Sequence, residues 1–174
     1  MDPRVNATSA QRELYERIFA YEFDAPGSTF PFSARLAREN GWSRGYTARV
    51  ITEYRRFVFL AVIGRHPVSP SDDVDQAWHL HLLYTKSYWT EFCGAILKRP
   101  LHHAPTQGGS TERDKFMSWY RHTLERYRTV FDVPPPADIW PTPEIRFDDA
   151  NQFQRVNLQR AWMVRKPWAR GGSS

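Results

Sequence analysis

Four of the six histidines lie between residues 69 and 105, together with three aspartates. Asp75 and His79 are four positions apart, so on an α-helix they lie on one side, a turn from each other. A histidine from the segment after this helix, His102 or His103, could complete a ligand set. One carboxylate and two imidazoles suit zinc or ferrous iron and leave a position open for water. The spacing therefore predicts a metal site.

His81 is only two positions after His79, so on a straight helix the two side chains point about 160° apart. His81 would then not be a ligand of the same ion. His81, Tyr88 and His102 are candidates for acid–base catalysis or for orienting the ligands. No glutamate adjoins either histidine of W-H-x-H, unlike the H-E-x-x-H motif, in which the general base is present. Without a metal, Asp75 and His79 would form a helical hydrogen-bonded pair and His81 a core residue. Whether the chain is an enzyme stays open.

One long helix is predicted to carry Asp75, His79, His81 and Tyr88. Ser69 could cap it, with Pro70 at its first position, and the pattern continues to about Phe92, with Gly94 ending it. Its core-facing stripe consists of Val74, Trp78, His81, Thr85, Tyr88 and Phe92.

The motif D-V-D-Q-A-W-H-L-H, a tyrosine further on and a later L-x-H resemble the domain of plant glycine-rich domain-containing proteins and their bacterial relatives. The resemblance covers residues 30 to 145. Its pattern falls on Asp75, Trp78, His79, His81, Tyr88 and His103. It therefore favours His103 over His102. The roles in stress, development and RNA binding that the family suggests do not transfer, because this chain has no glycine-rich tail and no RNP-like aromatic motif.

Apolar periodicity predicts an all-α bundle of about five helices. Besides the histidine-bearing helix, these cover residues 8–23, 33–40, 46–63 and 111–131, with caps at Thr8, Ser33, Ser43 or Thr47, and Thr111. The end of the 46–63 helix is apolar all round, so we expect it to be central and an antiparallel neighbour of the next helix. Glu53, Arg55 and Arg56 are predicted on its solvent side.

The C-terminal part of the sequence is rich in proline and then in basic residues. We predict a helical domain over residues 1–147, which ends in an extended proline-rich arm anchored by Ile139, Trp140 and Phe147. Residues 148–174 are predicted to form a C-terminal arm and a flexible basic tail.

Composition restricts the partners. The 174 residues contain no apolar run of 18, which argues against a membrane partner, and the single Cys93 fits a reducing cytoplasm. The net charge is +5, but the arginines are spread over all helices, which favours solvated faces over a nucleic-acid groove. The leading hypothesis is a metal-binding protein that supports metal-assisted hydrolysis. The alternatives are a non-catalytic interaction module that binds an unknown protein, and a weak nucleic-acid binder.

Overall fold

A computed structural model describes residues 5–64, 66–104 and 110–148. These ranges contain helices and no strand, which confirms the predicted all-α class. The helices are α1 (Ser9–Ala20), α2 (Phe32–Asn40), α3 (Arg44–Ile63), α4 (Asp72–Leu83), a π-helix (Lys86–Leu97), α5 (Ser110–Phe131) and α6 (Pro143–Arg146). The described ranges hold more helices than the predicted five because the histidine-bearing helix is divided and the arm contains one helical turn.

Helix α3 is the centre of the bundle, as its sequence predicts. Its consecutive residues Val58, Phe59 and Leu60 are all fully buried, so the helix has no solvent side there. It packs against α1, α2, α4 and α5. The Ser43 hydroxyl caps it by accepting a hydrogen bond of 3.2 Å from the N–H of Tyr46. The predicted packing of this helix against the next one is confirmed.

Glu53 on α3 is buried, and its predicted solvent exposure is wrong. Its carboxylate accepts hydrogen bonds from Arg56 Nη1 at 2.9 Å and from the Tyr127 hydroxyl at 3.2 Å. A third comes from Trp140 Nε1 at 2.9 Å. The proline-rich arm places Trp140 over this side of α3, so a charged helix face lies beneath another segment. Three donors compensate the carboxylate for its lost hydration.

The proline-rich arm is anchored as predicted. Ile139 and Trp140 are buried, and Phe147 packs against the core. The Tyr120 hydroxyl of α5 donates a hydrogen bond of 2.8 Å to the carbonyl of Pro141. Thr142 then caps the single turn of α6. The arm is therefore part of the packed domain.

Of the predicted N-terminal caps of α1, α2 and α5, the one at Thr8 is confirmed and those at Ser33 and Thr111 are wrong. The capping box at Thr8 is present, and Gly41 ends α2 in the left-handed conformation with a φ of 68°. Ser33 lies inside α2 and does not cap it. Its hydroxyl instead donates a hydrogen bond of 2.6 Å to the Asp24 carboxylate. Thr111 likewise lies inside α5, which begins one residue earlier.

No helix in the described ranges combines the length and the apolar character needed to cross a bilayer. The predicted C-terminal arm and basic tail lie outside the described residues, apart from Asp148. The proposed boundary at residue 147 therefore stays a prediction.

Candidate metal centre

Helix α4 begins at Asp72 and carries two of the three candidate ligands. Its cap is Ser71, whose hydroxyl accepts a hydrogen bond of 3.4 Å from the N–H of Val74. The predicted cap at Ser69 is wrong. Ser69 lies in the loop before the helix, where its backbone N–H donates a hydrogen bond of 3.0 Å to the Thr123 hydroxyl of α5. The position of Asp75 in the first turn favours its negative charge.

The predicted single helix to Phe92 is wrong, since the chain breaks at Tyr84 (φ −86°, ψ 63°). A π-helix over Lys86–Leu97 follows, and it contains Gly94 instead of ending there. On one straight α-helix, the Cα atoms of His81 and Phe92 would be about 16 Å apart. Their ring centroids are 5.1 Å apart, so the π-helix folds back onto α4. Residues 82–87 include no glycine or proline that would indicate the break.

The fold-back divides the predicted core stripe. Val74, Trp78, His81, Tyr88 and Phe92 are buried, whereas Thr85 at the break is exposed.

Asp75, His79 and His103 converge at the side of α4. Asp75 Oδ1 is 2.9 Å from His103 Nε2, and Asp75 Oδ2 is 3.7 Å from His79 Nε2. One donor atom from each residue lies within 4.8 Å of the other two. Around a tetrahedral ion with bonds of about 2.1 Å, donor atoms are about 3.4 Å apart. Small side-chain movements would therefore let the three residues share one ion.

The cluster is open on the His79 side. The His79 side chain is 50% exposed, whereas Asp75 and His103 are 20% and 17% exposed. His79 also lines a cleft of about 690 Å³, beside Trp42 and Leu83. This volume is in the range of small-molecule sites. An ion held by the cluster would thus have two recessed ligands and one ligand facing solvent.

His103 is held in place by aromatic side chains. Its ring packs edge-on against Trp78 with centroids 4.6 Å apart. Trp78 Nε1 donates to the Tyr88 hydroxyl (2.8 Å), and that hydroxyl donates to the carbonyl of Leu101. The segment that carries His103 is therefore bonded to both the π-helix and α4.

His81 is not part of the cluster. It is 1% exposed, and its Nδ1 and Nε2 are hydrogen-bonded to the Tyr54 hydroxyl (3.0 Å) and the Ser87 hydroxyl (3.1 Å). Burial lowers the pKa of His81 to about 3, so the imidazole is neutral near pH 7. As the helix geometry predicts, His79 faces the cluster while His81 faces the core. Ser87 had no signal in the sequence, because only the break brings it to His81.

The other two acid–base candidates differ in accessibility. Tyr88 is fully buried, and burial raises the pKa of its phenol. His102 is exposed, and its ring lies 5.5 Å from that of Trp89, outside the Asp75 cluster. Of the two histidines after the helix, His103 is therefore the one brought to Asp75. The catalytic roles of His81, Tyr88 and His102 stay predictions.

Comparison with known proteins gives one finding. The UCP032817-like family model matches residues 27–122, more than half of the chain, and this range includes the whole Asp75, His79 and His103 cluster. No curated protein and no solved structure matches the chain significantly. The chain belongs to the UCP032817-like family.

Proposed function

We propose that this protein binds a divalent transition metal, zinc or ferrous iron, through Asp75, His79 and His103. The observation that carries the proposal is the convergence of three donor atoms within 4.8 Å, from residues up to 28 positions apart in the chain. A carboxylate and two imidazoles form a common ligand set for these ions. The partial burial of Asp75 and His103 supports a site that is preformed before the ion arrives.

Metal binding at this site should require a change of tautomer at His103. His103 Nε2 is hydrogen-bonded to Asp75 Oδ1, and a metal would need the lone pair on that nitrogen. The imidazole must therefore carry its proton on Nδ1 when the ion is bound. Because protons compete with the ion for both histidines and the carboxylate, binding should weaken as the pH falls.

We propose metal-assisted hydrolysis as the reaction that such a site would support. When bound, the ion would lower the pKa of a coordinated water toward neutrality and so provide a nucleophile. The cleft that His79 lines offers room for a substrate next to this ligand. Of the three candidate acid–base residues, His102 is the one with an exposed imidazole.

We also propose that the W-H-x-H pattern, which resembles that of glycine-rich domain-containing proteins, corresponds to this site. Asp75, His79 and His103 would be the ligands, and Trp78 and Tyr88 would support them. The single cysteine favours a cytoplasmic location for the protein.

A metal-free structural role is the alternative, and one observation favours it. The 2.9 Å hydrogen bond between His103 and Asp75 already ties the loop to α4 without an ion. The motif would then belong to an interaction module. In that case the protein would bind its partner equally well with and without a chelator.

Elemental analysis of the purified, untagged protein tests the proposal. We expect close to one zinc or iron per chain in the wild type and almost none in His79→Ala. His122→Ala, which removes an exposed histidine of α5, is the matched control and should retain the metal. A wild type that neither contains these metals nor takes up added Zn²⁺ would refute the metal centre.

A further inference from the structure

We propose that Trp78 and Tyr88 are positioning residues of the metal centre. Together with the carbonyl of Leu101 they form a hydrogen-bonded series, called here the Trp78–Tyr88–Leu101 link, which sets where His103 presents its Nε2. The inference rests on the proposed metal function. Neither side chain would touch the ion: Tyr88 would act through the backbone of the segment that carries His103, and Trp78 through Tyr88 and through its own contact with the His103 ring.

The Tyr88 hydroxyl is both an acceptor and a donor of hydrogen bonds in this link. The hydroxyl accepts a hydrogen bond from Trp78 Nε1 at 2.8 Å, and its single proton is donated to the carbonyl of Leu101. Trp78 is 6% exposed and Tyr88 is fully buried, so water competes little for these bonds. Leu101 is two residues before His103, and fixing its peptide restricts the path of the chain to the imidazole.

The Leu101 carbonyl is held by Tyr88 of the π-helix. The His103 ring then rests against Trp78. These contacts restrict the positions open to the His103 ring.

The break at Tyr84 is what makes the link possible. On one continuous α-helix, the Cα atoms of Trp78 and Tyr88 would be about 15 Å apart along the axis, too far for a hydrogen bond between their side chains. Because the π-helix folds back onto α4, Trp78 Nε1 and the Tyr88 hydroxyl come within 2.8 Å. The break therefore serves the metal site as well as the core.

Zinc affinity is the quantity that separates positioning from simple stabilisation. Groups that orient metal ligands typically contribute about 10- to 100-fold to affinity. Tyr88→Phe keeps the ring and removes the hydroxyl. Tyr120→Phe is the matched control, because the hydroxyl of this buried ring also donates a hydrogen bond to a backbone carbonyl, that of Pro141, which is outside the segment that carries His103.

The experiment measures the dissociation constant of Zn²⁺ alone, by competition with a chelator, for the wild type and both variants. Both variants should unfold at a lower temperature than the wild type. We expect zinc binding to weaken about 10-fold or more in Tyr88→Phe and less than about twofold in Tyr120→Phe. Equal zinc affinities in the two folded variants would overturn the inference.

The design separates this inference from the proposed function. A wild type that does not bind zinc refutes the metal centre itself. A wild type that binds zinc, together with an unaffected Tyr88→Phe, refutes only the link. Should Tyr88→Phe not fold, Trp78→Phe replaces it, because it removes the indole N–H that directs the Tyr88 hydroxyl and leaves a smaller aromatic ring beside His103. We expect at least about threefold weaker zinc binding in Trp78→Phe, and unchanged binding would overturn the inference.

Discussion

The buried histidine of the W-H-x-H motif should make this protein sensitive to mild acid. His81 is 1% exposed, and burial lowers its pKa to about 3, from 6.5 in an unhindered histidine. The perturbation that tests this is His81→Gln, which keeps a polar side chain but cannot be protonated near neutral pH. Its two hydrogen-bonding neighbours, Tyr54 and Ser87, remain available to the amide.

The direction of the effect follows from which state binds the proton. Below about pH 6.5 the unfolded chain protonates His81, whereas the native state does not until the pH approaches 3. Stability is therefore lost as the pH falls through this window, at about 1.4 kcal/mol per pH unit. Between pH 7.5 and pH 5 the loss from His81 alone is about 2 kcal/mol. Any native pKa below about 4 gives nearly the same figure, because the native imidazole stays neutral at pH 5.

Urea unfolding at pH 7.5 and pH 5, in the presence of a chelator and followed by circular dichroism, measures this loss. The pH-dependent change in the free energy of unfolding should be about 2 kcal/mol smaller in His81→Gln than in the wild type. His122→Gln changes an exposed histidine and should follow the wild type. Equal pH dependence in the wild type and His81→Gln would refute the argument from burial.

Three further outcomes are expected. Glu53→Gln should lower the free energy of unfolding by about 3 kcal/mol, because the amide nitrogen is a donor and cannot accept a hydrogen bond. It would face one of the donors that now bond the carboxylate, from Arg56, Tyr127 or Trp140. An unchanged urea midpoint would count against this prediction. Lys98→Gly should raise stability by about 1 kcal/mol, since Lys98 ends the π-helix with a φ of 56°, and a lower melting temperature would contradict this. Zinc at about 100 times its dissociation constant should stabilise the wild type by about 2.7 kcal/mol, because it binds the native state and not the unfolded chain. Calorimetry that finds no change in melting temperature would contradict this.

Much of the fold could be predicted because local signals agree with tertiary packing. The capping box at Thr8, the cap at Ser43 and the apolar end of α3 all describe contacts within a few residues or one uninterrupted helix. The position of Asp75 relative to His79 follows from helical periodicity in the same way. These features depend on little beyond 3.6 residues per turn.

The features that the sequence concealed all depend on contacts between distant segments. Glu53 resembles a solvent-facing residue until the arm places Trp140 beside it, 87 positions later. The break at Tyr84 lacks a glycine or proline signal, and the fold-back that follows becomes evident from the packing of Tyr88 and Phe92 against α4. Tertiary contacts of this kind override the local preference for one continuous helix.

The most direct test of the metal centre is a zinc-loaded crystal examined by anomalous diffraction at the zinc edge. The account predicts one strong peak at about 2.0–2.2 Å from a carboxylate oxygen of Asp75 and from Nε2 of both His79 and His103. A zinc peak bound elsewhere, or a loaded crystal in which the 2.9 Å hydrogen bond between His103 and Asp75 persists with no ion beside it, would contradict the account.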